Sequence, residues 1–167
     1  KLYPSWGYMQ GLVLHAFEQL WEKHPDPRYV PYIEKYAEDR ITDEGVIKDY
    51  RSTEFKLDDI CAGRILFNLY DQTGKQKYRT AIQTLREQLR WQPRTTDGGF
   101  WHKRKYPWQM WLDGAYMASP FLTRYAVEYG KSETLDDVVL QLKLMEKHMR
   151  DPETGLLYHG WDESRLQ

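Results

Sequence analysis

The chain has 167 residues, enough for one domain with a real hydrophobic core. Its 24 basic residues are interspersed among 25 acidic ones, and a net charge of −1 gives no pull toward nucleic acid or an anionic membrane. A lone cysteine, Cys61, excludes a cystine-stapled scaffold and fits a reducing, cytoplasmic setting; no apolar run approaches the roughly 20 residues of a membrane span.

Helical spacing runs from end to end. A first helix is predicted over about residues 5–23, where Met9, Leu12, Val13, Leu14, Phe17, Leu20 and Trp21 cover more than one face. Asp26-Pro27 reads as an N-cap with proline at the first helical position. The helix it opens has the stripe Tyr29, Ile33, Tyr36 and Ala37. After a long loop over about 42–56, residues 60–70 contain only Arg64 and Asn68 as polar side chains, so a helix here is covered on both sides. Gly74 sits where a left-handed C-cap belongs. Tyr78, Ile82, Leu85 and Leu89 then mark one face of a helix over about 76–91. A second long loop, about 93–112, leads into a helix that is uncharged from 115 to 121. Pro120 removes one of its backbone hydrogen bonds and predicts a kink near Tyr116. Gly130 is a second C-cap glycine, and Ser132 can start the last helix, with the stripe Leu135, Val138, Val139, Leu142, Met145 and Met149.

A buried helix, a tight turn, an amphipathic helix and a long loop thus recur roughly every 50 to 56 residues. Lys75-Gln-Lys-Tyr78 echoes Asp26-Pro-Arg-Tyr29. Such a repeat fits either a generic helical array for protein binding or an α/α toroid, whose inner helices surround an axis and whose long loops crowd one mouth. Inner helices buried on two sides favour the toroid.

The second long loop is chemically unusual. Between Gly98 and Met117 it gathers Phe100, Trp101, Tyr106, Trp108, Trp111 and Tyr116 with His102, three further basic residues and the isolated acid Asp113. Loops are mostly small and polar unless they line something. Aromatic faces beside a carboxylate and a histidine suit a sugar, which offers apolar C–H faces and hydroxyl edges. Asp58 occupies the place equivalent to Asp113, at the start of the preceding inner helix. Inner helices of a toroid run parallel, so both carboxylates would open onto the same mouth. Either could instead be a simple N-cap, worth about 1 kcal/mol. A helix N-terminus favours the charged carboxylate, whereas a general acid must hold its proton. Trp111, Trp108 and Tyr116 could retain that proton by burial, and Asp58 by repulsion. Asp59, turned about 100° from Asp58, reads as a solvated first-turn acid. His102 and His159 lie in corresponding loops and serve either substrate hydroxyls or loop rigidity. His15, His24 and His148 read as surface or packing residues on helices, and Cys61 as a small apolar filler. No HExxH, paired-cysteine, nucleophile-elbow, phosphate-loop or dinucleotide motif is present, so neither a metal nor a cofactor is expected.

The stretches Leu57-Asp58-Asp59-Ile60 with Gly63, Gln88-Leu89 with Pro93-Arg94-Thr95, and the block from Gly98 to Met117 with Pro120-Phe121 carry a family resemblance. With Thr154-Gly-Leu-Leu-Tyr-His-Gly-Trp-Asp162, they resemble the unsaturated rhamnogalacturonyl hydrolases of glycoside hydrolase family 105 and, more distantly, the unsaturated glucuronyl hydrolases. The resemblance implies an all-α (α/α)6 barrel and removal of a 4,5-unsaturated galacturonic acid from the non-reducing end of rhamnogalacturonan fragments of pectin. In that family a vinyl ether is hydrated: C4 is protonated, water adds at C5, and the hemiketal collapses. The resemblance makes Asp113 the general acid that also activates the water, and Asp58 the helper that binds sugar hydroxyls and tunes it. His102 and His159 match substrate-contact positions, with Trp111 and Tyr8 beside them. Another toroid sugar enzyme (an epimerase, a lyase or an ordinary glycosidase) and a non-catalytic helical-repeat module are the alternatives.

A six-hairpin barrel needs six inner helices, and three are visible. Residues 1–167 are therefore expected to form one incomplete toroid domain, a partial chain or a half-barrel. Its inner faces would be exposed beyond the few hundred Å² that soluble monomers tolerate, so the chain is expected either to pair with another copy or to be inactive and poorly soluble alone.

Overall fold

A computed structural model describes residues 5–165. Seven helices form three consecutive hairpins. The first pairs α1 (Tyr8–Lys23) with α2 (Tyr29–Arg40). The second pairs α3 (Asp58–Cys61) and α4 (Ile65–Thr73), joined by a 3-10 turn at Ala62–Arg64, with α5 (Gln76–Arg90). The third pairs α6 (Leu112–Tyr129) with α7 (Glu133–Met149). Strands β1 (Gln109–Trp111) and β2 (Gly160–Asp162) form an antiparallel ribbon, with Met110 opposite Trp161.

The inner elements α1, α3 with its 3-10 extension, and α6 pack on one another, while α2, α5 and α7 lie outside them. This is half of an α/α toroid. Leu14, Ile60, Ala62, Ile65, Tyr78, Ile82, Leu85 and Phe121 are buried in the shared core. A smaller core of Met110, Leu144, Met145 and Met149 lies under the ribbon with Leu157 and Trp161, and so anchors it to α7.

Gly74 and Gly130 are left-handed C-caps, with φ of 65° and 62°. Other expectations need correction. The first helix starts at Tyr8, after Gly7, rather than at residue 5. The second starts at Tyr29; Asp26 Oδ1 still accepts the Arg28 N–H at 2.9 Å, so the aspartate organises the turn before the helix. Ser132 precedes α7 without a side-chain capping bond. Pro120 lies inside α6, as its place in the sequence implies. The second inner helix is interrupted at Ala62–Arg64. There a Cβ on Gly63 would lie 2.3 Å from Leu85 Cδ1 and 3.1 Å from Phe121 Cε2, so two neighbouring helices press directly on its backbone.

Two apolar faces lack cover. Met9, Leu12, Val13 and Leu20 of α1 are exposed, so this inner helix is not enclosed as its sequence predicts. The stripe expected on α7 splits in two. Val138, Met145 and Met149 are buried, whereas Leu135, Val139 and Leu142, at i, i+4 and i+7, form a separate exposed row.

Candidate active site

The site lies where the N-terminal ends of α1, α3 and α6 meet. The loop between α5 and β1 enters it through His102, whose backbone N–H donates to Gln109 O at 2.8 Å and whose carbonyl accepts the Leu57 N–H at 3.0 Å. The first bond ties the loop to the start of β1 and the second to the start of α3. The His102 ring stacks on Trp111, with centroids 4.3 Å apart and planes 12° apart, and its side chain is 1% exposed. Gly114 leaves room for it, since a Cβ there would lie 3.3 Å from His102 Nδ1.

His102 stands between the two acids. Its Nε2 lies 3.2 Å from Asp58 Oδ1, and its Nδ1 lies 3.9 Å from Asp113 Oδ1. Asp58 Oδ2 also accepts from Lys103 Nζ at 3.1 Å. Burial pushes the Asp58 carboxyl up, but hydrogen bonding and charge from His102 and Lys103 outweigh it and leave the group below its usual range. An ionised Asp58 favours a proton on Nε2, and Nδ1 is the ring nitrogen that faces Asp113. Asp113 Oδ1 and His102 Nδ1 are both buried without a hydrogen-bond partner among the described residues. The N-cap positions of α3 and α6 are Leu57 and Trp111, so neither acid occupies one. The N-cap alternative fails for both.

The ribbon delivers the second histidine. Leu112 N–H donates to His159 O at 2.6 Å, which places His159 Nε2 4.0 Å from Asp113 Oδ1, with 71% of its side chain exposed. Trp111 lies between the histidines, 5.6 Å from the His159 ring, and also stacks with Tyr106 at 5.2 Å. Much of its surface therefore braces protein rings. Tyr8 lines a cavity of about 230 Å³ together with Trp6, Lys56, Asp58, Asp59 and Lys103. Asp58, His102, Asp113, His159 and Trp111 thus form one cluster, and Tyr8 is linked to it through the cavity it shares with Asp58.

Asp59 departs from its expected role. It lines the cavity rather than facing bulk solvent, and burial lifts its carboxyl to about 6, with Lys56 opposing and Asp58 adding repulsion. Lys103 and Tyr106 are participants that sequence spacing did not single out. The available signal was their place beside His102 in the aromatic loop. The ribbon was also missed, because a three-residue strand is too short to show alternation.

Asp58, His102 and Asp113 could together face a cation, with one donor atom from each lying within 4.8 Å of the others. Lys103 argues against that use, since its ammonium already neutralises Asp58 and would repel an ion beside it. The arrangement is better suited to moving a proton. His148, in contrast, binds Asp97 at 2.6 Å and stacks on Trp161, a packing role as expected.

Known proteins share this sequence pattern and fold. At 23% identity over 164 residues, the chain is similar to the unsaturated rhamnogalacturonyl hydrolase YesR of Bacillus subtilis (strain 168), covering 95% of this chain and 46% of YesR. A glycoside hydrolase of family 105 from C. acetobutylicum ATCC 824 superposes with a TM-score of 0.93 at 41% identity, covering 97% of this chain and 45% of that one. A possible member of that family from Klebsiella pneumoniae subsp. pneumoniae MGH 78578 gives 0.83 at 22% identity, covering 96% and 41%, and supports the fold. The chain spans less than half the length of each. Residues 1–167 match Glycosyl Hydrolase Family 88 throughout, and the chain belongs to that family.

Proposed function

We propose that the chain carries the acid-bearing half of an unsaturated-uronate hydrolase, acting on 4,5-unsaturated galacturonic acid at the non-reducing end of rhamnogalacturonan fragments. The observation that carries this reading is the buried, unpartnered Oδ1 of Asp113, set between His102 and His159 and facing the His102 nitrogen left free by Asp58. Asp113 donates its proton to C4 of the vinyl ether. Water then adds at C5 and returns a proton to the Asp113 carboxylate; the hemiketal opens by breaking C5–O5 to a C5 ketone, and the hemiacetal left at C1 collapses to the aldehyde and releases the aglycone as its alcohol. The gap of 3.9 Å to His102 suits a contact that tightens when substrate excludes water.

Asp58 acts through His102, fixing its tautomer, and presents its remaining surface to sugar hydroxyls. His159 and Tyr8 contact the sugar, while Trp111 chiefly orients the two histidines. No cofactor enters this scheme. The described residues include no helix long and apolar enough to cross a membrane, and a cytoplasmic setting suits the buried free thiol of Cys61. The similarity to YesR and to the family 105 structure supports the substrate class.

The test is Asp113→Asn. Turnover of an unsaturated rhamnogalacturonan disaccharide removes the ultraviolet absorbance of its conjugated double bond, whereas a lyase would create that chromophore. The variant is expected to lose about a thousandfold or more in rate while keeping its helical circular dichroism. Retained turnover would remove Asp113 from the role.

A further inference from the structure

Beside the cavity lined by Tyr8 and Asp58, which Asp113 itself does not line, lies a trough of about 790 Å³, more than three times that cavity's 230 Å³. Arg51, Lys56, Lys103, Arg104, Lys105 and Tyr106 line it, and Glu54 is its single acid. In a chain of net charge −1 this is a local excess, not a reflection of composition. Lys56 and Lys103 line both spaces, so the trough and the cavity are neighbours. We propose that this trough holds the reducing-end side of the substrate, and that the preferred class is an oligouronide with at least one further carboxylate beyond the ring in the cavity. The proposal deepens the hydrolase reading above and rests on it for the orientation of the chain.

The cations are unequally compensated. Lys103 pairs with Asp58, and Glu54 is shared between Lys56 and Arg51. Among the described residues, neither Arg104 nor Lys105 is paired with an acid. Two uncompensated charges beside a concave surface attract an anion and orient it as it arrives. Tyr106 supplies the matching apolar element, with the Lys103 and Lys105 ammonium groups 5.4 and 5.6 Å from its ring. A uronate needs this combination, a flat face for its C–H groups and cations for its carboxylate.

The walls are fixed by the backbone. Arg104 N–H donates to Glu54 O at 2.9 Å, joining the two loops, and Tyr106 N–H donates to Lys103 O at 2.9 Å, closing a turn. Phe55, between the lining residues Glu54 and Lys56, and Trp108, two residues past Tyr106, are bulky residues held in left-handed backbone at φ of 49° and 65°. Strain of this kind persists where surrounding structure enforces it, and it concentrates at binding sites.

Calorimetric binding separates this proposal from the catalytic one, because it uses saturated trigalacturonate, which has no double bond to hydrate. Galactotriose serves as the uncharged match and tripolyphosphate as a non-sugar anion. Trigalacturonate is expected to bind at least about tenfold more tightly than galactotriose, with an affinity that falls as salt is raised. The double variant Arg104→Ala/Lys105→Ala should lose about tenfold for trigalacturonate and little for galactotriose, with unchanged circular dichroism. Equal affinity for the two trisaccharides, an unaltered double variant, or tripolyphosphate binding as tightly as trigalacturonate would overturn the proposal. If Asp113→Asn retained turnover while the trigalacturonate preference held, the acid assignment would fail and the trough would stand.

Discussion

Two adjacent aspartates, Asp58 and Asp59, begin the same short helix, and their surroundings drive them apart. Asp58 is bonded to His102 and Lys103, which favours its charged form. Asp59 lacks such bonds, and burial lifts its carboxyl from the usual 3.8 to about 6. Between those values folded Asp59 keeps a proton that the unfolded chain has lost. Its contribution to stability is therefore fully present below about pH 4 and is lost as pH rises through 6. Asp59→Asn should flatten this part of the stability profile. Urea midpoints taken between about pH 4 and 7 would show a decline in the parent chain and a smaller one in the variant. An identical decline in both would assign the effect to another group.

Among elements, the closest approach is that of α1 to the α3 segment. A Cβ on Gly11 would lie 2.7 Å from Ala62 N and 2.8 Å from both Ala62 Cα and Cys61 C. Backbone atoms cannot swing aside as a flexible side chain does, so the two inner elements would have to separate. Gly11→Ala, despite its better helix propensity, should destabilise the chain by about 1–3 kcal/mol, read as a lower urea midpoint. A midpoint equal to or above the parent's would show that the helices have slack. The same contact sets the height of Tyr8 against Asp58 and Asp59, so the variant should also weaken ligand binding at the cavity.

At the scale of the molecule, the arc has two uncovered apolar faces. One is the row Met9, Leu12, Val13 and Leu20; the other is Leu135, Val139 and Leu142. We propose that the isolated chain self-associates through these faces, as their apolar area calls for cover. Light scattering should give a mass above the 20.1 kDa of one chain, and Leu12→Asp with Val139→Asp should reduce it. A monodisperse particle of 20.1 kDa from the parent chain would refute the idea. Two three-hairpin arcs joined edge to edge could close a ring, whose far wall would then face the Asp113 mouth.

Periodicity and punctuation were legible in the residues themselves. Tyr78, Ile82, Leu85 and Leu89 repeat at helical spacing and are buried together, and Gly74 and Gly130 end helices where they were expected to. The shared position of Asp58 and Asp113 at the starts of inner helices was legible for the same reason, since a repeat places equivalent residues at equivalent ends. Tertiary structure decided the rest. Whether a carboxylate caps its helix or meets a histidine 44 residues away depends on contacts that no local spacing encodes. The burial of His102 between two acids, the lifted carboxyl of Asp59 and the joining of two loops into one basic trough all arise where distant segments cross. Local sequence sets which face of a helix is apolar, but only packing decides which of two apolar faces is covered, as α7 shows.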